Sequence, residues 1–155
     1  MTIQAQENFH YLKVDLDINN LIELKDNPRM QNQINGLDFD IEIGSKIKHW
    51  GCYVFYGHFP NANYKNYGFG GSYHLGFFNH KIDTSIGGGY TAIMRKFDSK
   101  NNWGTLSAYH IKATSNIWIN KNIGITLAWQ FQQRTDLKVY GIWEGKAGLI
   151  YKSNF

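Results

Sequence analysis

Ser85, His74 and Asp83 are the three side chains of this sequence that hydrolytic chemistry could use together. A hairpin turn centred between Asn79 and His80 sets His74 opposite Ser85 and Gly76 opposite Asp83, which places all three on one polar strand face. Nucleophilic hydrolysis needs that set: the imidazole takes the hydroxyl proton and the carboxylate orients the imidazole. No strained nucleophile turn or oxyanion hole accompanies them. A register shift of one residue would part them, so a structural hydrogen-bond cluster is the competing reading.

Other reactive side chains offer less. Histidines at 10, 49, 58, 74, 80 and 110 form no pair at metal-ligand spacing, so neither a metal nor a cofactor is expected. Cys52 stands alone, which rules out an internal disulfide, and it reads as a small apolar residue. The most abundant polar chemistry is ionic. Lys13, Asp15, Asp17, Asp38, Asp40, Glu42, Asp83, Arg95, Lys112, Glu144 and Lys146 all fall on the polar phase of alternating stretches. Mixed signs in that phase suit a salt-bridged interior, with a gated ion path as the functional alternative.

The elements that must position these groups have a period of two. Leu12, Val14, Leu16 and Ile18 alternate with Tyr11, Lys13, Asp15 and Asp17. Leu37, Phe39, Ile41 and Ile43 alternate with Asp38, Asp40, Glu42 and Gly44, after which Gly44-Ser45-Lys46 reads as a short turn. From His49 to His58 both faces are apolar, leaving the outward one unassigned. Phe59 to Asn66 reads as a loop.

Beyond it, Phe69, Tyr73, Leu75 and Phe77 oppose Gly68, Gly70, Ser72, His74 and Gly76. Ile86, Tyr90, Ala92 and Met94 oppose Asp83, Ser85, Gly87, Gly89 and Arg95. Trp103, Tyr109 and Ile111 oppose Gly104, His110, Lys112 and Thr114. Ile123, Ile125, Leu127, Trp129 and Phe131 oppose Thr126, Ala128, Gln130 and Gln132. The last strand sets Val139, Trp143, Ala147, Leu149, Tyr151 and Phe155 against Glu144, Lys146, Gly148, Lys152 and Asn154. Eight strands result, joined alternately by longer polar loops and short turns, and an even count puts both termini at one end.

Composition agrees. A chain of 155 residues with 16% aromatics, 16 glycines and 2 prolines suits many short strands and does not suit a helical bundle. No window reaches the eighteen or so apolar residues of a membrane helix, but a barrel dilutes its apolar residues with lumen residues. The net charge of +4 is scattered and no nucleic-acid motif is present, so no nucleic-acid partner is expected. Acidic lipid head groups or sugars are the better use of that charge.

Alternation alone does not say which face looks inward. Mixed charges with glycine on the polar face, aromatics near strand ends and loops of alternating length favour polar-in, apolar-out. With these features, and with Leu149 and Tyr151 leading to a terminal Phe155, the chain resembles the small eight-stranded outer-membrane barrels of the OmpA and OmpX kind. The resemblance covers about residues 8–155 and is architectural. It implies an all-β, eight-stranded antiparallel up-and-down transmembrane β-barrel with a filled polar lumen, in the outer membrane of a Gram-negative bacterium.

It also implies that the last strand closes the barrel on the first, and that Leu149, Tyr151 and Phe155 form the signal read by the barrel-insertion machinery. Residues 1–7 read as the end of a signal peptide or a disordered terminus. The expected function is structural, adhesive or partner-docking, through the loops at Asn19 to Gly36 and Phe59 to Asn66. Tyr64, Tyr67, Asn61 and Asn63 are candidate contacts to a protein or glycan, and membrane lipid and lipopolysaccharide are the surroundings. The alternatives are a lipid-modifying hydrolase and a soluble lipocalin-like carrier. Lipid A deacylases carry a serine two residues after a histidine; here Lys112 stands at that spacing from His110.

Overall fold

Alternation at period two can close on itself only if the first and last strands find each other, and here they do. A computed structural model of the chain describes residues 8–18, 38–60, 64–96, 103–133 and 140–154. They form eight strands: β1 (Phe9–Asp17), β2 (Phe39–Ile47), β3 (Trp50–Phe59), β4 (Tyr64–Phe77), β5 (Ile82–Lys96), β6 (Trp103–Trp118), β7 (Ile123–Gln133) and β8 (Gly141–Asn154). Each pairs antiparallel with its sequence neighbours, and β8 pairs with β1, Leu12 opposite Tyr151 and Val14 opposite Leu149. The ring therefore has no open sheet edge.

Burial is inverted relative to a water-soluble protein. Lys13 is 3% exposed and Leu149 62% exposed. Along β1, Lys13, Asp15 and Asp17 are buried while Leu12, Val14 and Leu16 face outward; β7 repeats this with Thr126, Ala128, Gln130 and Gln132 against Ile125, Leu127 and Trp129. A soluble carrier barrel has the opposite arrangement, and an apolar wall of this extent has lipid as its natural solvent. No helix among the described residues is long and apolar enough to cross a membrane.

Several boundaries differ from the sequence expectation, each for a local reason. Strand β2 runs on to Ile47, and the turn is Lys48-His49, because Lys46 turns inward to an ion pair with Asp83. Strands β3 and β4 continue through Phe59 and Tyr64, which pair across the ladder and stack with ring centroids 4.4 Å apart. Tyr64 and Asn66 consequently point into the barrel, Tyr67 faces outward, and the expected loop cluster is split. The ambiguous β3 turns Trp50, Cys52, Val54 and Tyr56 outward and Tyr53 inward, where its ring lies over Gly70; a Cβ there would sit 2.5 Å from the ring. Gly44 receives the Tyr11 ring in the same way.

Short turns at 48–49, 78–81 and 119–122 share one end of the barrel with the start of β1 and the end of β8. Outward aromatics gather toward both ends. Trp129, Trp143, Phe131 and Tyr140 cluster near the long connections, and Trp50, Tyr73, Phe78 and Tyr151 lie toward the short turns. This is the distribution that membrane interfaces favour. Segment 1–7, the connection 19–37, Asn61, Asn63, the Trp103 side chain, Val139 and Phe155 lie outside the described residues.

Candidate functional site

The chemistry of this barrel lies in its lumen. Inward positions of the eight strands bring together five buried lysines, Lys13, Lys46, Lys112, Lys146 and Lys152, and seven buried carboxylates, Asp15, Asp17, Asp38, Asp40, Glu42, Asp83 and Glu144. Their formal sum is −2 in a chain whose total is +4. Charges this deep persist only when paired and hydrogen-bonded.

The pairing is arranged in tiers. Nearest the short turns, Lys46 pairs with Asp83. At mid-height Glu42 is shared: Lys112 pairs with it, Lys13 Nζ stands 3.1 Å away, and the Tyr11 hydroxyl donates to it at 3.1 Å. Lys13 also reaches Asp15 at 3.4 Å. Toward the long connections, Lys146 pairs with Asp40 and lies 3.1 Å from Glu144, which accepts a hydrogen bond of 2.9 Å from the Tyr64 hydroxyl.

Neutral polar groups fill the gaps. His110 lies between Tyr53 Oη at 2.7 Å and Thr91 Oγ1 at 2.8 Å. Asn66 donates to Gln132 at 3.1 Å. Aromatic faces take up ammonium charge as well, with Lys112 4.1 Å from the Tyr53 ring centroid and Lys152 4.4 Å from that of Trp118.

Among the residues singled out from sequence, Lys13, Asp15, Asp40, Glu42, Lys112, Glu144 and Lys146 come together in these tiers. Asp17 and Asp38 are buried at the long-connection end, where the Asp17 amide donates to the Asp38 carbonyl at 3.2 Å. Arg95 is half-buried on β5 opposite Tyr64. Leu149 and Tyr151 lie on the outward face of the closing strand, opposite Val14 and Leu12.

The hairpin register is His74 opposite Ser85 and Gly76 opposite Asp83. His74 Nδ1 is 2.7 Å from Asp83 Oδ1, and its Nε2 is 2.8 Å from Ser72 Oγ. Ser72, two residues before His74 on the same strand face, thus occupies the place at Nε2 that sequence reasoning gave to Ser85. With Nδ1 donating to the carboxylate, Nε2 can accept the serine proton, which is the order of a hydrolytic relay.

Access is what the relay lacks. The cavity shared by Ser72, His74, Ser85 and Thr114 has a volume of about 10 Å³, room for about one water molecule. An ester or amide cannot be seated there, so the relay ties β4 to β5 and, through Lys46, to β2. Lys46, Lys152, Ser72, Tyr53 and His110 had no place in the residue set drawn from sequence. The signal for Lys46, Lys152, Ser72 and His110 was their phase, since each continues the polar alternation of its strand.

No protein-family model and no curated protein matches the chain. Solved structures do. The N-terminal β-barrel domain of Pseudomonas aeruginosa OprF superposes with a TM-score of 0.65 at 12% identity, covering 97% of this chain and 100% of that one. Yersinia pestis Ail, solved in a phospholipid bilayer nanodisc, gives a TM-score of 0.55 at 12% identity over 97% of this chain and 100% of that one. Neisserial surface protein A gives 0.55 at 11% over 98% and 99%. At such identities the likeness is one of fold: the chain has the closed eight-stranded architecture of the small outer-membrane β-barrels.

Proposed function

We propose that this barrel resides in the bacterial outer membrane as a structural and interactive anchor that presents its long connections to a partner outside the cell. The observation that carries the reading is the pairing of an apolar outer wall with a lumen filled by ion-paired side chains. A wall of that kind holds the molecule in lipid, and a filled lumen turns attention from transport to the surface beyond the membrane. Ail has been solved with sucrose octasulfate, a heparin analogue, so a sulfated glycan is the first partner to test here.

The test has two parts. Protein expressed in a Gram-negative host should leave the outer-membrane fraction only with detergent and migrate differently on gels before and after boiling; recovery as a detergent-free monomer would overturn the placement. Replacing residues 19–37 by a short glycine-serine linker should then abolish retention on immobilised heparin while leaving the heat-dependent migration intact. Unchanged retention would remove that connection from the binding role.

A further inference from the structure

The short-turn end of the barrel carries a feature that the ion-paired tiers and the long connections do not use. An open groove of about 680 Å³ runs between the β4–β5 turn and the end of β6, lined by Phe78, Asn79, Lys81, Ile82, Ile117 and Trp118. Ile82 and Ile117 are ladder partners, and the Trp118 amide donates to the Lys81 carbonyl at 2.8 Å, so the floor of the groove is fixed by the sheet. Phe78 forms one wall, 75% exposed. Its backbone is left-handed, at φ 52°, as are those of Asn79 at 54° and His80 at 64°. A bulky aromatic is disfavoured in that region, and such conformations gather at ligand clamps.

Charge says what fits. All seven described carboxylates are buried, and the one at this end, Asp83, is turned inward onto Lys46 and His74. Exposed Lys48, Lys81 and Lys121 therefore stand on the three short turns with no exposed carboxylate among the described residues. Lys81 lines the groove beside the apolar Phe78, Ile82, Ile117 and Trp118. That combination suits an amphiphile with an anionic head and an aliphatic tail.

We infer that the groove formed by Phe78, Lys81, Ile82, Ile117 and Trp118 docks an acidic glycerophospholipid of the leaflet that borders the short turns. The phosphate lies against Lys81 and an acyl chain runs along Ile82 and Ile117, with Phe78 as its flank. This rests on the reading of the barrel as membrane-embedded and goes beyond it, since a generic apolar wall would not distinguish one head group from another.

The experiment uses the full chain refolded into phosphatidylcholine vesicles containing trace spin-labelled phosphatidylglycerol or spin-labelled phosphatidylcholine, with boiling-dependent gel migration as the measure of insertion. Wild-type protein should immobilise the phosphatidylglycerol probe about fivefold more strongly, the equivalent of ~1 kcal/mol from one lysine at a lipid surface. Lys81→Gln should bring the ratio to near one.

Phe78→Gly, which suits the left-handed backbone and so spares the fold, should also lower it, while Lys48→Gln should leave most of it. Equal losses in Lys48→Gln, Lys81→Gln and Lys121→Gln would mean a diffuse basic rim and would overturn the groove. Inserted protein with no preference overturns the docking site alone. Protein that never inserts overturns the membrane reading together with this one.

Discussion

Glu42 shows most clearly what a single lumen residue does. It accepts from Tyr11 and is contacted by Lys13 and Lys112, so its removal leaves Lys13 with Asp15 and Lys112 with the face of the Tyr53 ring. Glu42→Gln should therefore cost about 3–5 kcal/mol, the penalty for breaking a buried pair from one side. Urea titration of the detergent-folded barrel would show it as a fall in midpoint. Joint replacement, Glu42→Leu with Lys112→Met, removes that pair, leaves Lys13 to Asp15, and should recover part of the loss; a double variant as unstable as the single one would mean that the cost is lost packing. Ser72 makes the complementary point. Its relay geometry is good, but the cavity beside it takes about one water, so a fluorophosphonate probe should leave Ser72 unlabelled in the folded barrel. Stoichiometric labelling that vanishes in Ser72→Ala would restore the hydrolase reading.

At the scale of the strands, the sheet order, the inward phase and the hairpin register around Asn79 were legible, because an alternation of period two fixes face and a turn centre fixes partners. Position 127 tests that phase. Leu127 is 47% exposed in the middle of β7, opposite Ala147 on β8 and Ser115 on β6. Leu127→Arg should destabilise the barrel by about 2–4 kcal/mol if it meets mid-bilayer lipid, read by urea unfolding in vesicles. Wild-type stability there would reverse the inside-out assignment.

Strand ends were less legible, for physical reasons. Nothing local to Gly44-Ser45-Lys46 announces that Lys46 has a carboxylate waiting on β5, and nothing near Tyr64 announces Glu144 on β8. Such cross-lumen partners depend on the stagger of a closed sheet, a property of all eight strands together. Ser72 differs, since its place beside His74 follows from same-face spacing alone.

For the whole molecule, the question is whether the filled lumen is a plug or a path. An eight-stranded barrel is just wide enough for side chains to fill, and here they do so with paired charges and with the rings of Tyr11 and Tyr53 seated against Gly44 and Gly70. An ion crossing it must displace Lys46 from Asp83, Lys112 from Glu42 and Lys146 from Asp40 in turn. Each displacement exposes a buried charge at a cost of several kcal/mol, whereas a potential of about 100 mV supplies only ~2.3 kcal/mol to a unit charge across the whole membrane. Planar bilayers holding the wild-type protein should thus show no resolved conductance steps at that potential. Tyr11→Ala with Tyr53→Ala removes two rings that close the lumen and one hydrogen bond to Glu42, but no charged side chain. If that variant conducts, the excess of buried carboxylates over buried lysines, seven to five, should make the current cation-selective. Sustained ohmic current through wild-type barrels, or anion selectivity in the widened one, would show that the charges line a pathway instead of closing it.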